Sequence, residues 1–257
     1  MQNHLVGCKG KTTELGEIFL ENMSEIKSSF IHKKKMLRLY QAVIWVGSVV
    51  ILISFMMAIF NNQRFAARTY MRNFLFCPLS GLLISINTIL SKLFFVYSNS
   101  FLYSIQFSLD LLYLAFWAHF FLNVFINRND LLKIKILFFS TFLIAVALYI
   151  FSNHQQANLH LLSVMNLCNT ISCTFFYYKL FKNVPDQDIK FEPSFWVIAG
   201  LFFYSALSLP FYALNDYIKA TFPLIASDIF AISNVMIIIM HFFFIKAYIC
   251  TIRLYKE

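Results

Sequence analysis

The chain has 257 residues, of which 60% are hydrophobic and 13% charged, and it carries a net charge of +9 with a mean hydropathy of +0.68. A soluble domain would carry about 25% charged residues, and one soluble core of this size could not hide repeated apolar runs of roughly 20 residues, which argues against a soluble enzyme or binding domain. The runs are continuous and lack the alternation of a membrane barrel, so the expected fold is all-α, a polytopic membrane protein built as a seven-transmembrane-helix bundle.

Residues 1–38 form a basic tail holding Lys9, Lys11, Lys27, Lys33, Lys34, Lys35 and Arg38. Part of it could form a short amphipathic helix, and it lacks the layout of a signal peptide. Seven apolar blocks then fill residues 39–250: Leu39–Phe60, Asn73–Lys92, Phe101–Ile126, Leu131–Phe151, Asn158–Phe181, Pro193–Leu214 and Phe222–Cys250. Residues 251–257 are a short tail. Cytoplasmic loops carry the excess of Lys and Arg in membrane proteins. Here twelve such residues lie on the side of the odd-numbered connections and the C-terminus, against Lys92 and Lys219 on the other. That bias places the C-terminus in the cytoplasm and, with seven spans, the N-terminus outside. The basic tail opposes this placement. A re-entrant first block, a translocated tail, or a native start at Met36 would each resolve the conflict, and the last is preferred.

The same bias explains the net charge without nucleic acid, because the basic residues cluster at block ends. The cysteines form no CxxC pair and read as small membrane-helix residues, neither a disulfide frame nor a metal site.

Polar residues inside the blocks are the candidate functional groups. In the second block Pro78, Gly81, Ser85, Thr88 and Lys92 share a face. In the third, Tyr103, Gln106, Asp110, Tyr113 and Trp117 make one helical stripe. A carboxylate at the depth of Asp110 costs a few kcal/mol or more unless paired or hydrated, so it must face the bundle interior. Lys92 is its candidate ion-pair partner; the competing reading has Lys92 reaching to the headgroups. The fourth block is almost wholly apolar and is expected at the lipid rim. The fifth carries His160, Asn166 and Asn169, the sixth Tyr204, Ser208 and Pro210, and the seventh Asp228, Asn234 and His241. His160 and His241 are candidate pH-sensitive groups, although an interfacial role for His160 and a packing role for His241 are the preferred readings. Lys92, Asp110, His160 and Asp228 all fall in the outer half, which suggests a polar cavity open to the outside. In the sixth block Gly200, Tyr204, Ser208 and Phe211 share a face, expected to turn towards the Asp110 stripe, and Pro210 is expected to bend the helix.

No hydrolase, zinc-protease or nucleotide-loop signature occurs, and no lysine sits mid-span in the last block where a retinal would need one. No catalytic residue, metal or cofactor is expected.

The stretches "EPSFWVIAGLFFYSALSLPFYAL" and "IFAISNVMIIIMHFFFIKAYI" resemble multi-span membrane modules of Bacteroidota that stand alone or precede sensor histidine kinases. Pro193, Phe195, Trp196, Gly200, Leu201, Phe203, Tyr204 and Asn234 carry the resemblance. "FLYSIQFSLDLLYLAFW" is similar to that family's third span, where Glu commonly takes the place of Asp110. The resemblance implies a sensory role in a bacterial inner membrane. The chain would be a receptor-like module binding a small molecule or lipid among Tyr103, Gln106, Asp110, Tyr113, Asn166, Asn169, Tyr204, Ser208, Asp228 and Asn234. It would signal through a separate partner such as a histidine kinase, and could form a homo-oligomer. The alternatives are a transporter or channel with Asp110 on the ion path, a lipid-modifying enzyme, and a structural subunit of a larger complex.

Overall fold

The computed structural model describes residues 42–43, 45–60, 99–125, 127–152, 154–183 and 192–254. The chain divides into two compact units, Met1–Val43 and Ile44–Glu257. Only residues 42 and 43 of the first unit are described, and everything below concerns the second. The second expected span, with Lys92, lies outside the described residues.

The described residues of the second unit form helices and their short connections. They are α1 (Trp45–Phe60), α2 (Asn99–Val124), α3 (Arg128–Phe151), α4 (His154–Asn183), α5 (Pro193–Ala213), α6 (Asn215–Thr221) and α7 (Pro223–Leu254). Five of them (α2, α3, α4, α5 and α7) contain stretches of 21 to 24 residues long and apolar enough to cross a membrane. α1 is a shorter apolar helix.

Local chemistry sets the helix ends. Asn127 caps α3, its side chain accepting from the Asn129 amide at 3.1 Å, which satisfies one of the four donors a helix start leaves open. Pro193 opens α5 at a position where its missing N–H costs nothing. Pro210 lies inside α5. The Leu214 amide donates to the Pro210 carbonyl and the Ile218 amide to that of Leu214, so backbone bonding runs from α5 into the short polar helix α6.

Helix neighbours follow from side-chain contacts. Phe107 stacks on Tyr149, and Phe121 meets Phe138 at a tilt, which fixes α2 against α3 at both ends. Lys179 pairs with Asp130 across α3 and α4. The Tyr177 hydroxyl donates to the Phe195 carbonyl at 3.2 Å, tying α4 to α5. Trp196 and Phe203 both stack on Phe243, tying α5 to α7. At the centre Trp117 is fully buried, with Phe116, Phe120 and Phe244 at ring distances of 5.2, 5.4 and 6.2 Å. The Phe116 and Phe120 pairs are edge-to-face, and such pairs contribute about 0.5–1.5 kcal/mol each beyond area burial.

α5 and α7 approach most closely at Gly200. A Cβ there would lie 2.8 Å from Phe243 Cβ and 3.0 Å from the Met240 carbonyl oxygen. Only glycine fits, as at many membrane helix crossings. Gly200 therefore packs against α7 and not towards the Asp110 stripe, a correction for this residue and not for the whole of its face. α1 shows the same logic: Gly47, Ser54 and Ala58 point inwards while Trp45, Val49, Leu52 and Phe60 are exposed. α3 holds the rim position expected of it. Only 22% of its apolar window is buried, against 50% for α5, and Leu132, Ile136, Phe139, Leu143 and Ile150 are exposed. Large apolar side chains facing outwards are what a bundle solvated by lipid presents.

Candidate functional site

Most hydroxyls on α4 bond within their own helix. Ser163, Thr170, Ser172 and Thr174 each donate to the carbonyl four residues earlier, the way a polar residue is accommodated in an apolar helix. Those groups need no ligand. The side chains that escape this accounting define the site.

Asp110 is 2% exposed. One of its oxygens accepts from Gln106 Nε2 at 3.1 Å, one turn back on α2. The other has no hydrogen-bond partner among the described residues. Across the bundle, the Tyr204 hydroxyl of α5 is close enough to interact electrostatically with Asp110 and Tyr113, and it lies within hydrogen-bonding reach of Tyr212. Tyr212 in turn bonds Ser233 of α7 at 2.7 Å. Gln106 and Asp110 on α2, and Tyr204, Tyr212 and Ser233 on α5 and α7, thus form two hydrogen-bonded groups, with Tyr204 close enough to Asp110 and Tyr113 for electrostatic interaction.

A second set of buried polar side chains lies on α4 and α5. With Tyr177 against Phe195 and Phe202, antiparallel helices rising about 1.5 Å per residue bring Asn166 and Asn169 level with Ser205 and Ser208. All four are buried. Asn166 Nδ2, Asn169 Oδ1 and both serine hydroxyls lack partners among the described residues. Buried polar atoms are usually hydrogen-bonded, so this many in one region mark a place able to hold water or a polar ligand.

The expected site residues divide accordingly. Gln106, Asp110, Tyr113, Tyr204, Ser208, Asn166 and Asn169 fall in these two sets. Asn234 is half-buried beside Ser233. His160 is half-buried near the start of α4, nearly two turns before Asn166. His241 is 1% exposed, with its ring edge-on to Phe244 at 5.2 Å, a packing role, although its Nδ1 has no partner among the described residues. The side chains of Tyr103 and Asp228 lie outside the described set, as does Lys92, so the Lys92–Asp110 pair falls outside it too. Tyr212, Ser233 and Ser205 were not among the expected binding residues. Tyr212 and Ser205 sit in the apolar run that carries Tyr204 and Ser208, but their roles depend on the register between helices.

The opposite end of the bundle is basic and aromatic. Asp130 holds Lys179 at 2.9 Å, Lys133 and Lys179 lie over Phe175, Lys182 over Tyr178 and Lys246 over Trp196. Cys168, Cys173 and Cys250 are free and buried. Among the described residues no group of three or more His, Cys, Asp or Glu could hold a metal ion.

Comparison with known proteins finds no matching family model, no matching curated protein and no matching solved structure.

Proposed function

We propose that the chain is an integral membrane receptor-like module whose polar core binds a small donor-bearing molecule or lipid headgroup beside Asp110. Binding would be read at the basic, cytoplasmic end by a separate signalling protein. The observation that carries this reading is the Asp110 carboxyl, buried with one oxygen on Gln106 and the other unpartnered among the described residues. That oxygen is an acceptor, so it suits an ammonium, hydroxyl or amide N–H. Asn166 Nδ2 is a further buried donor without a partner among the described residues, and the Ser208 hydroxyl can donate or accept. The two hydrogen-bonded groups lie on three helices, so a ligand that prefers one arrangement of Tyr204 and Tyr212 would bias how α5 packs on α7, and a ligand shifts such an equilibrium only by its differential affinity. Such modules sit in a bacterial inner membrane in the family that α2, α5 and α7 resemble in sequence, which is the ground for expecting a histidine kinase as partner.

The test is a thermal-shift screen of the purified protein in nanodiscs, using small amines, polyols and lipids from its native membrane. A binder should raise the melting temperature of the wild type and lose at least tenfold in affinity in Asp110→Asn, which keeps the shape of the carboxyl but not its charge. Binding unchanged by that substitution overturns the assignment. A second reading draws on the same buried polar atoms. A column from Asp110 towards His241 would serve proton or ion passage, and substrate-driven flux into liposomes, abolished in Asp110→Asn, would favour a transporter.

A further inference from the structure

A groove of about 510 Å³ runs between α2 and α3, and none of the polar-core residues line it. Leu114, Ala115, Ala118 and Leu122 form one wall, and Ile136, Phe138, Phe139 and Phe142 form the other, with Lys135 the one charged residue lining it. The alanines leave room that the large α3 side chains do not fill.

Lys135 differs from most basic residues of this end, and unlike Arg128 it lines the groove. Lys179 is paired with Asp130. Lys133, Lys182 and Lys246 each lie over an aromatic ring. Among the described residues Lys135 has neither an acidic partner nor a ring. It also lies seven residues inside α3, roughly 10 Å from Arg128 along the axis, with exposed Leu132, Ile136 and Phe139 around it. An ammonium held among lipid-facing side chains is costly unless it reaches the interface or meets a counter-charge.

We propose that this groove is a binding site for an anionic phospholipid. One acyl chain lies between Ala115 and Ala118 on one side and Phe139 and Phe142 on the other, and the Lys135 ammonium donates to the headgroup phosphate. Charge selects this occupant. An apolar helix from a second copy would bury the ammonium against carbon, whereas a headgroup of net negative charge neutralises it. Basic positions between membrane helices on the cytoplasmic side are suited to such headgroups.

The experiment is native mass spectrometry of the full chain released from vesicles of mixed phosphatidylcholine and phosphatidylglycerol. The wild type should retain phosphatidylglycerol over phosphatidylcholine by roughly fivefold, the scale of one lysine near an anionic surface. Lys135→Gln should remove the preference, and Ala115→Trp should remove the retained lipid by filling the groove. Arg128→Gln, at the same end but outside the groove, should change neither. Lys135→Gln is an exposed substitution, so it keeps the test valid should Ala115→Trp not fold. Equal losses in Lys135→Gln and Arg128→Gln would reduce the effect to diffuse surface attraction and overturn the site. So would equal retention of the two lipids by the wild type, or a lipid-free dimer.

Discussion

One oxygen of the Asp110 carboxyl takes a hydrogen bond from Gln106, while the other is buried without a partner among the described residues. A buried polar group left unsatisfied costs about 1–3 kcal/mol, and in lipid surroundings the charged form costs more. A residue retained for packing alone would not carry that penalty. Asp110→Leu is therefore expected to stabilise the bundle, raising the melting temperature by roughly 3–6 °C while abolishing ligand binding. Gln106 is half-buried and can find another partner. A fall in melting temperature would mean instead that a group such as Lys92 holds the second oxygen. The need for Asp110 to face inwards was legible from its depth in an apolar block. Tyr204 was expected to turn towards it from its place on the α5 stripe; the part of Tyr212 and Ser233 was not legible, because it depends on how α5 packs against α7.

At the scale of helices, the apolar blocks predicted the described spans closely. Pro193–Leu214 became Pro193–Ala213, and Leu131–Phe151 became Arg128–Phe151. The agreement is physical: the thickness of a bilayer sets the length of an apolar run, and Pro193 and Asn127 mark starts that chemistry makes visible. α6 was missed because its seven residues, with Asn215, Asp216, Lys219 and Thr221 among them, are short and polar enough to read as the connection between two apolar blocks. Its bonding to the end of α5 through Pro210 and Leu214 is a backbone property that side-chain polarity hides. Gly200 was placed on the wrong face because the stripe Gly200–Tyr204–Ser208 looks continuous, yet the close approach of Phe243 requires the glycine to point at α7. The contact most sensitive to how α5 and α7 dock is Tyr212 to Ser233 at 2.7 Å. A double-mutant cycle with Tyr212→Phe and Ser233→Ala is expected to give a coupling of about 0.5–1.5 kcal/mol in unfolding experiments, the range found for hydrogen bonds between membrane helices. Additive single losses would show that the two hydroxyls are satisfied independently.

For the whole molecule, the two ends differ in kind. One carries Arg128, Lys133, Lys135, Lys179, Lys182 and Lys246, several of them over aromatic rings. The other carries Lys219 as the described cation and holds the Asp110 network nearby. Lys and Arg at short connections orient a membrane bundle, so the first end is expected in the cytoplasm. Charge alone decides this, since the apolar faces are equally at home either way up. Labelling with a membrane-impermeant maleimide tests it in intact cells, with Cys8 and Cys77 replaced by serine and the buried Cys168, Cys173 and Cys250 kept. A cysteine in place of Tyr217, which is 62% exposed on α6, should label directly, whereas one in place of Lys182 should label only after the membrane is opened. The reverse pattern would turn the polar network towards the cytoplasm. A ligand reaching Asp110 would then come from metabolism inside the cell and not from the surroundings. The Lys135 groove would then face the leaflet away from the cytoplasm. Orientation thus decides what kind of molecule each site can meet.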